Sequence, residues 1–533
     1  MDSSRLKILL IVIFAAFVAI YLGVAAATAQ LEAIAWVGGA LALVIILALG
    51  KNVWVLIPLS LMLTGGLNFL PGAPFPWWLA TMVAGGMLSL RFLTRAKDTF
   101  VFRFTWLDFA IVLQVIAILQ SFLRNPTGLS IMGGETVGGK TYIIYALAFT
   151  AYATMSVMKS NIREFRIVVI AMLMVSILDG LLMVITQLSP QVASIALPIY
   201  SAADFGAAQG MEIDVTESRL TGAQDLARTL GLAAFTLFIP LSAFNPLHPM
   251  RFVMIMTSLS LCLLSGFRSA LGGLLIFFLV GSLVRKRYLD VVLGFTAAVV
   301  GLSLLMISGF SRELPFGAQR ILSVLPFMDV DDNTRKNAED SSEWRFEMWR
   351  LALGTDRYIK NKLLGDGFGY SADELRAALD SAYGDQRMLG QANQQDMMLA
   401  KGSYHGFHVE AVRFTGAFGL LMALVSMGIF FRYSLKLIHH FRGRPEWGYV
   451  LFICVPFLIH PFYYMLIFGS YKNAFPLILA MAGMLKILDN IRVDELATAR
   501  AADPLPEPTS SPSPLRKLPP SRFPHPAKVG LSR

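Results

Sequence analysis

Three residues of this 533-residue chain pair a reactive side-chain type with a useful position: Arg219, Arg268 and His405. Arg219 lies in Ser218-Arg-Leu-Thr-Gly222, just ahead of an apolar run, and Arg268 lies in Leu264-Ser-Gly-Phe-Arg-Ser-Ala270, a very short turn between two apolar runs. An arginine at a membrane surface often does no more than snorkel its head group into water. A guanidinium is also a bidentate fork for phosphate. Cations are scarce in the short loops on this side of the chain, and two arginines at neighbouring helix ends favour anion binding. His405 stands with His408 in Tyr404-His-Gly-Phe-His408, where a long polar segment meets an apolar run. Imidazole, with an ordinary pKa of about 6.5, suits general-base work. The i,i+3 spacing of the two histidines would suit a metal on a helix, but no Cys or carboxylate cluster accompanies them, so no metal site is expected.

Two further features carry a bland reading. Gly134-Glu-Thr-Val-Gly-Gly139-Lys140-Thr141 fits the phosphate-binding pattern G-x-x-x-x-G-K-T. That motif works when a strand precedes it and a helix follows. Here a membrane helix precedes it, and the loop falls on the outer side, away from ATP, so it reads as a coincidental Gly-rich loop with no nucleotide cofactor. Asp179 is the only charge between Ile167 and Ile185. An intramembrane carboxylate is a functional candidate by default, but one without an evident cationic partner reads as a hydrogen bond to a neighbouring helix.

The elements that position these residues must be mostly membrane helix. Hydrophobic residues make up 56% of the chain and charged residues 15%, against about a quarter charged in soluble domains. Runs such as Ile8 to Ala27 are long enough to cross a bilayer, and lipid leaves their backbone groups no partner outside a helix. The alternation of a membrane β-barrel is absent. The predicted fold is an all-α, polytopic transmembrane bundle of about fourteen spans. They lie near 8–28, 33–50, 53–70, 76–93, 106–123, 141–157, 165–188, 226–244, 252–267, 269–284, 289–308, 410–431, 447–467 and 472–488. The first follows Arg5 and Lys7 and is read as a retained helix rather than a cleaved signal. Cys262 and Cys454 each lie inside an apolar run, so no disulfide is expected.

Lys and Arg crowd alternate loops, among them Arg285-Lys-Arg287 and Arg432 to Arg444, which places those loops and both termini in the cytoplasm. The net charge of +10 is this topology signal plus the tail. No basic stripe with interleaved aromatics argues for nucleic acid. The chain then divides into helices over 1–308 with an outer loop near 189–225, a large outer loop or lid over 309–404, helices over 405–490, and a tail over 497–533. The outer loop carries helical signals: Ser371 with Glu374 forms a capping box, and Trp344, Met348 and Leu351 share one helical face. Nine prolines between 504 and 526 keep the tail from building a core, and it is expected to be disordered.

Together these segments resemble the O-antigen ligase and polymerase superfamily. The family's first arginine followed by Gly and a small, polar stretch is matched by Arg219-Leu-Thr-Gly-Ala-Gln-Asp-Leu-Ala-Arg-Thr-Leu230. Its second arginine, opening a helix that ends in a basic cluster, is matched by Ser265-Gly-Phe-Arg268-Ser-Ala-Leu-Gly272 and Arg285-Lys-Arg287. The loop's Arg/Trp-rich helix and N-P-L-L-G-x-G turn are similar to Glu343-Trp-Arg-Phe-Glu-Met-Trp-Arg350 and Asn361-Lys-Leu-Leu-Gly-Asp-Gly367, with Lys362 in place of Pro. The closing histidine and E-x-G-x-x-G resemble His405 with Gly416 and Gly419, a spacing that selects His405 over His408. Gly406 and Phe414 depart from the usual Asn or Ser and Glu.

The resemblance implies a glycosyltransferase of the bacterial inner membrane with a periplasmic active site. The donor would be a glycan on a polyprenyl diphosphate carrier, and the acceptor a hydroxyl of lipid A-core, another glycan or a protein. Arg219 and Arg268 would stabilise the departing diphosphate and His405 would act on the acceptor hydroxyl, without metal or nucleotide. Polymerization of repeat units within the same superfamily is the alternative. Transport of a lipid-linked glycan is another, although transporters place polar groups near the bilayer midplane. A scaffold whose Pro-rich tail recruits partners would leave Arg219, Arg268 and His405 unexplained.

Overall fold

A computed structural model describes residues 48–94, 100–128, 136–201, 222–325, 327–371 and 402–502, with isolated positions 39, 44, 46, 220, 398 and 399. The first expected span, nearly all of the second, Arg219, the Ser371–Glu374 box beyond Ser371 and the tail from 503 lie outside the described residues. The chain divides into a unit of Met1–Arg492 and a unit of Val493–Arg533.

Among the described residues the regular elements are helices, apart from one two-residue antiparallel pair. In chain order the helices are α1 (Leu56–Ser60), α2 (Pro76–Leu93), α3 (Trp106–Arg124), α4 (Gly139–Ser156), α5 (Ile162–Leu188), α6 (Pro190–Ala196), α7 (Ala223–Leu237), α8 (Pro249–Ser265), α9 (Arg268–Val284), α10 (Tyr288–Ser308), α11 (Phe316–Leu322), α12 (Asp332–Gly354), α13 (Phe407–His440), α14 (Trp447–Leu466) and α15 (Phe475–Ala502). Five of them, α3, α5, α10, α13 and α14, are long and apolar enough to cross a membrane, and α8 and α9 are shorter apolar helices. The apolar stretch of α10 buries none of its residues within the protein. Such a face is stable only against lipid or another apolar surface.

Local sequence sets the helix starts. Thr105 and Asp108 form a capping box on α3, and Asn161 and Glu164 form one on α5. Glycines set two ends: α8 stops at Gly266 and α10 at Gly309, both in the left-handed region. Around α7 pack α5, α8, α9 and α14, while α13 lies along α3 and α14.

The span expected over 53–70 is not one helix. A 3-10 turn over Gly50–Val55 runs into α1, and the chain leaves the helix beyond Leu61. At Gly66 a side chain would meet the Ala73 carbonyl at 2.5 Å. The freed backbone finds partners elsewhere: Leu67 N–H donates to the Pro74 carbonyl, and Asn68 N–H to that of Ile199. Asp179 of α5 holds the break, accepting from the Thr64 hydroxyl at 2.8 Å, the Thr64 N–H at 3.3 Å and the Tyr200 hydroxyl at 2.6 Å. The intramembrane carboxylate is thus a tie between segments. The span expected over 226–244 is likewise split, into α7 and a 3-10 turn over Pro240–Phe244.

Helix α13 contains a break of its own at Gly416, with φ 75° and ψ 179°. The segment Asn361 to Gly367 fills it. Asp366 N–H donates to the Arg413 carbonyl (2.8 Å) and Gly367 N–H to that of Phe414 (3.1 Å), while Ala417 and Phe418 N–H donate back to Lys362 and Leu363 (2.8 and 3.1 Å). The Arg413 and Phe414 carbonyls before the break and the Ala417 and Phe418 amides after it thereby regain partners. Only glycine suits the close approach: a side chain on Gly416 would run into the Leu363 carbonyl, and one on Gly365 would lie 2.5 Å from the Gly416 nitrogen. An Arg413–Asp366 ion pair at 2.6 Å, with both side chains nearly buried, locks the seam.

The far end of α3 has a second clasp. Lys486 of α15 is 1% exposed. Its ammonium donates to the Arg103 carbonyl, the Thr105 hydroxyl and the Asp108 carboxylate. The Tyr152 hydroxyl donates to the other Asp108 oxygen at 2.8 Å. A buried charge is tolerated when paired and fully hydrogen-bonded, as this one is.

Candidate functional site

Arg268 owes its position to the turn before it. Gly266 (φ 67°) reverses the chain at the end of α8, and α9 begins at Arg268. The short helix α11 clamps this turn. Gly317 has no side chain to strike the Leu263 carbonyl, which a Cβ would approach to 2.8 Å, and Arg320 donates to the Gly266 carbonyl at 3.4 Å.

His405 is held by α12. The buried face of this helix contains Met348 and Ala352, which cluster with Tyr404, Val409 and Val412; Trp344 and Leu351 pack beside them. Trp349 donates its indole N–H to the Tyr404 carbonyl at 2.8 Å. The indole also explains Gly406, where a Cβ would sit 2.8 Å from three of its ring atoms. His405 itself adopts φ 51°, uncommon for a residue with a side chain. Its ring stacks on Phe468 at 5.8 Å and meets Trp344 edge-on at 5.9 Å. Burial, and after it the positive charge of Arg345, lower its pKa and favour neutral imidazole.

Arg345 is the residue that sequence reasoning passed over. It follows Trp344 on α12, and its pKa is lowered by burial and then by the like charge of Arg268. It therefore interacts electrostatically with both Arg268 and His405. Its Nε is buried without a hydrogen-bond partner. A signal was present in the sequence: Arg345, Met348, Trp349 and Ala352 recur at i, i+3, i+4 and i+7. An arginine on the covered face of an otherwise polar helix calls for an anion or a carboxylate.

Arg345 thus links Arg268 to His405 electrostatically, the His405 ring packs on Trp344 and Phe468, and Arg219 lies outside the described residues. The start of α7 four residues later is fixed against α5, since Gly222 donates its N–H to Gln187 at 3.2 Å and has no room for a side chain beside Met183. His405 and His408 do not form a helical i,i+3 pair, because α13 begins at Phe407. The His408 ring packs on Trp349 at 4.8 Å. Phe414 stacks on Phe368 at 4.7 Å. In the Gly-rich loop, Thr136–Val137 pairs with Tyr370–Ser371, Gly138 packs against the Phe368–Gly369 backbone, and the Lys140 ammonium lies over the Trp78 ring at 5.4 Å. These contacts give Gly138 and Lys140 structural roles.

A pair of arginines, one of them next to a neutral imidazole, can hold an anion and take a proton from a nearby hydroxyl. No protein-family model matches the chain, and no curated protein matches it.

Proposed function

We propose that this chain is a membrane glycosyltransferase of the O-antigen ligase type, acting on the periplasmic face of the bacterial inner membrane. The donor is a glycan on a polyprenyl diphosphate, and the acceptor is a hydroxyl of lipid A-core or another glycan. The observation that carries the reading is the convergence of Arg268, Arg345 and His405 from three separate elements. In the reaction the acceptor oxygen bonds to the anomeric carbon as the carbon–oxygen bond to the diphosphate breaks. The bonding electrons leave with the diphosphate, which stays on its lipid, and the acceptor proton passes to His405. Arg268 and Arg345, with Arg219, offset the charge that develops on the leaving group. The donor is already activated, so the step needs no nucleotide.

The test is transfer in vitro from a polyprenyl diphosphate glycan, with membrane insertion of each variant verified. His405→Ala should lower turnover by about a hundredfold or more. Arg268→Lys should remain strongly impaired, because it keeps the charge but loses the fork. Near-normal transfer by both His405→Ala and Arg268→Ala overturns the mechanism. Ligase and polymerase separate in a deletion strain: loss of all lipid A-linked chains with polymer still on the carrier marks a ligase, and single-repeat glycans mark a polymerase.

One observation favours transport as the second reading. Arg228, Asp225 and His460 line a cavity bordered by the membrane-length helices α5 and α14, where a carrier would place its polar groups.

A further inference from the structure

That cavity, of about 240 Å³, lies among α5, α7, α9, α14 and the break after α1. Pockets for drug-sized ligands run to about 300–1,000 Å³, so it fits a head group and not a glycan. Its cation is Arg228, whose guanidinium lies over the Tyr463 ring at 5.2 Å. Among the described residues no carboxylate reaches ion-pairing distance of Arg228. Asp225, one turn earlier on α7, is exposed at the same cavity. His460 lines it too, and its Nδ1 has no hydrogen-bond partner. Leu61, Met62, Leu232, Phe277, Pro456 and Ile459 supply apolar walls.

The cavity's place relative to Arg268 is fixed by two contacts. The Tyr463 hydroxyl donates to the Ser269 carbonyl at 3.3 Å, and a side chain on Gly273 would come 3.9 Å from both Arg228 Nε and the Tyr463 ring. Gly273 lies five residues beyond Arg268 on α9, or about 7–8 Å along the axis. Arg228 is thus displaced from the Arg268 end toward the middle of the helices, among apolar side chains. A phosphate carried on an apolar chain suits that arrangement: the fork takes the phosphate and the walls take the chain. A metal or ammonium cation would meet repulsion from Arg228.

We propose that this cavity binds the phosphate end of an isoprenoid lipid, with Arg228 as its anchor and Asp225 as a built-in counter-charge that weakens the hold and lets the lipid leave. The inference deepens the transfer reading and rests on it for the prenyl character of the chain. Glycan transfer assayed on the same preparations separates the two, since cavity variants report on lipid binding and His405→Ala on transfer.

The experiment is equilibrium binding of farnesyl phosphate, farnesol and inorganic phosphate to the full chain purified in detergent. Wild type should bind farnesyl phosphate at least tenfold more tightly than farnesol or inorganic phosphate. Arg228→Gln should weaken farnesyl phosphate tenfold or more, Gly273→Leu should weaken it by filling the cavity, and Asp225→Asn should tighten it severalfold. If Arg228→Gln does not fold, the direction of the Asp225→Asn effect decides. Equal affinity for inorganic phosphate marks a free-anion site and overturns the lipid assignment. No binding by wild type, unchanged binding in the Arg228 and Gly273 variants, or weaker binding by Asp225→Asn overturns the proposal. The last result would instead favour a cation or proton carrier.

Discussion

The guanidinium of Arg345 lies close enough to the His405 imidazole to depress its pKa, adding to the larger effect of burial. The pH dependence follows in sign. Unfolded His405 would titrate near 6.5, and the folded residue titrates lower. Stability from the neutral imidazole is therefore present above pH of about 6.5 and is lost as the pH falls toward the folded value. On the transfer reading, the acid limb of the rate profile should lie below the ordinary histidine range. A pH–rate profile of kcat/KM for the donor, which reports the unliganded enzyme, checks this.

Replacing Arg345 tests whether it acts through the histidine or directly on the donor. Arg345→Met should raise the acid limb toward the ordinary value, and only in part, because burial remains. It should also raise the KM for the lipid-linked donor if the guanidinium meets the diphosphate. A merely structural arginine would lower stability and leave the pH profile unmoved. Arg345→Lys should restore the pH profile more fully than the donor KM, since it returns the charge without the fork.

The seam between Gly365 and Gly416 makes a stability prediction. At Gly416 both the backbone angles and the Leu363 carbonyl exclude a side chain. Gly416→Ala should cost at least about 3 kcal/mol, the sum of a glycine-only conformation and a steric clash. Thermal unfolding in detergent checks it. Gly428, on the same helix with nothing within 4 Å of a Cβ, is the control, and Gly428→Ala should be near neutral.

Much of this fold could be read from apolar runs, because a helix that faces lipid or helix neighbours must be apolar along its length. The runs at 106–123, 165–188, 289–308 and 447–467 correspond to α3, α5, α10 and α14. The break after Leu61 was hidden for the same reason: Leu, Met and Phe continue past it, and only Thr64-Gly-Gly66 and Pro71-Gly72 mark the turn. Arg268 and His405 were legible because polar groups are conspicuous at the ends of apolar runs. Arg345 was not, since it stands among Glu and Arg on a polar helix and only periodicity separates it from them. Lys486 escaped notice because its partners, near residue 105, are almost four hundred positions away.

That lysine offers a test independent of function. Lys486→Met leaves Asp108 beneath protein without its cation and should destabilise by about 3–5 kcal/mol. Adding Asp108→Asn removes the orphaned charge and should recover part of the loss. Thermal melts of the two single variants and the double variant measure the coupling.

The seam at Gly416 also has a mechanical consequence. His405 lies eleven residues before the break, at the tip of a lever about 15 Å long whose fulcrum is the stitched segment 361–367. A tilt of about 5° at the fulcrum would swing the imidazole by roughly 1 Å, a displacement that can cost about a hundredfold in a reaction depending on close positioning. Changes in the thickness or lateral pressure of the surrounding bilayer, which act on the tilt of α13, would thus be felt at His405 as changes in aim.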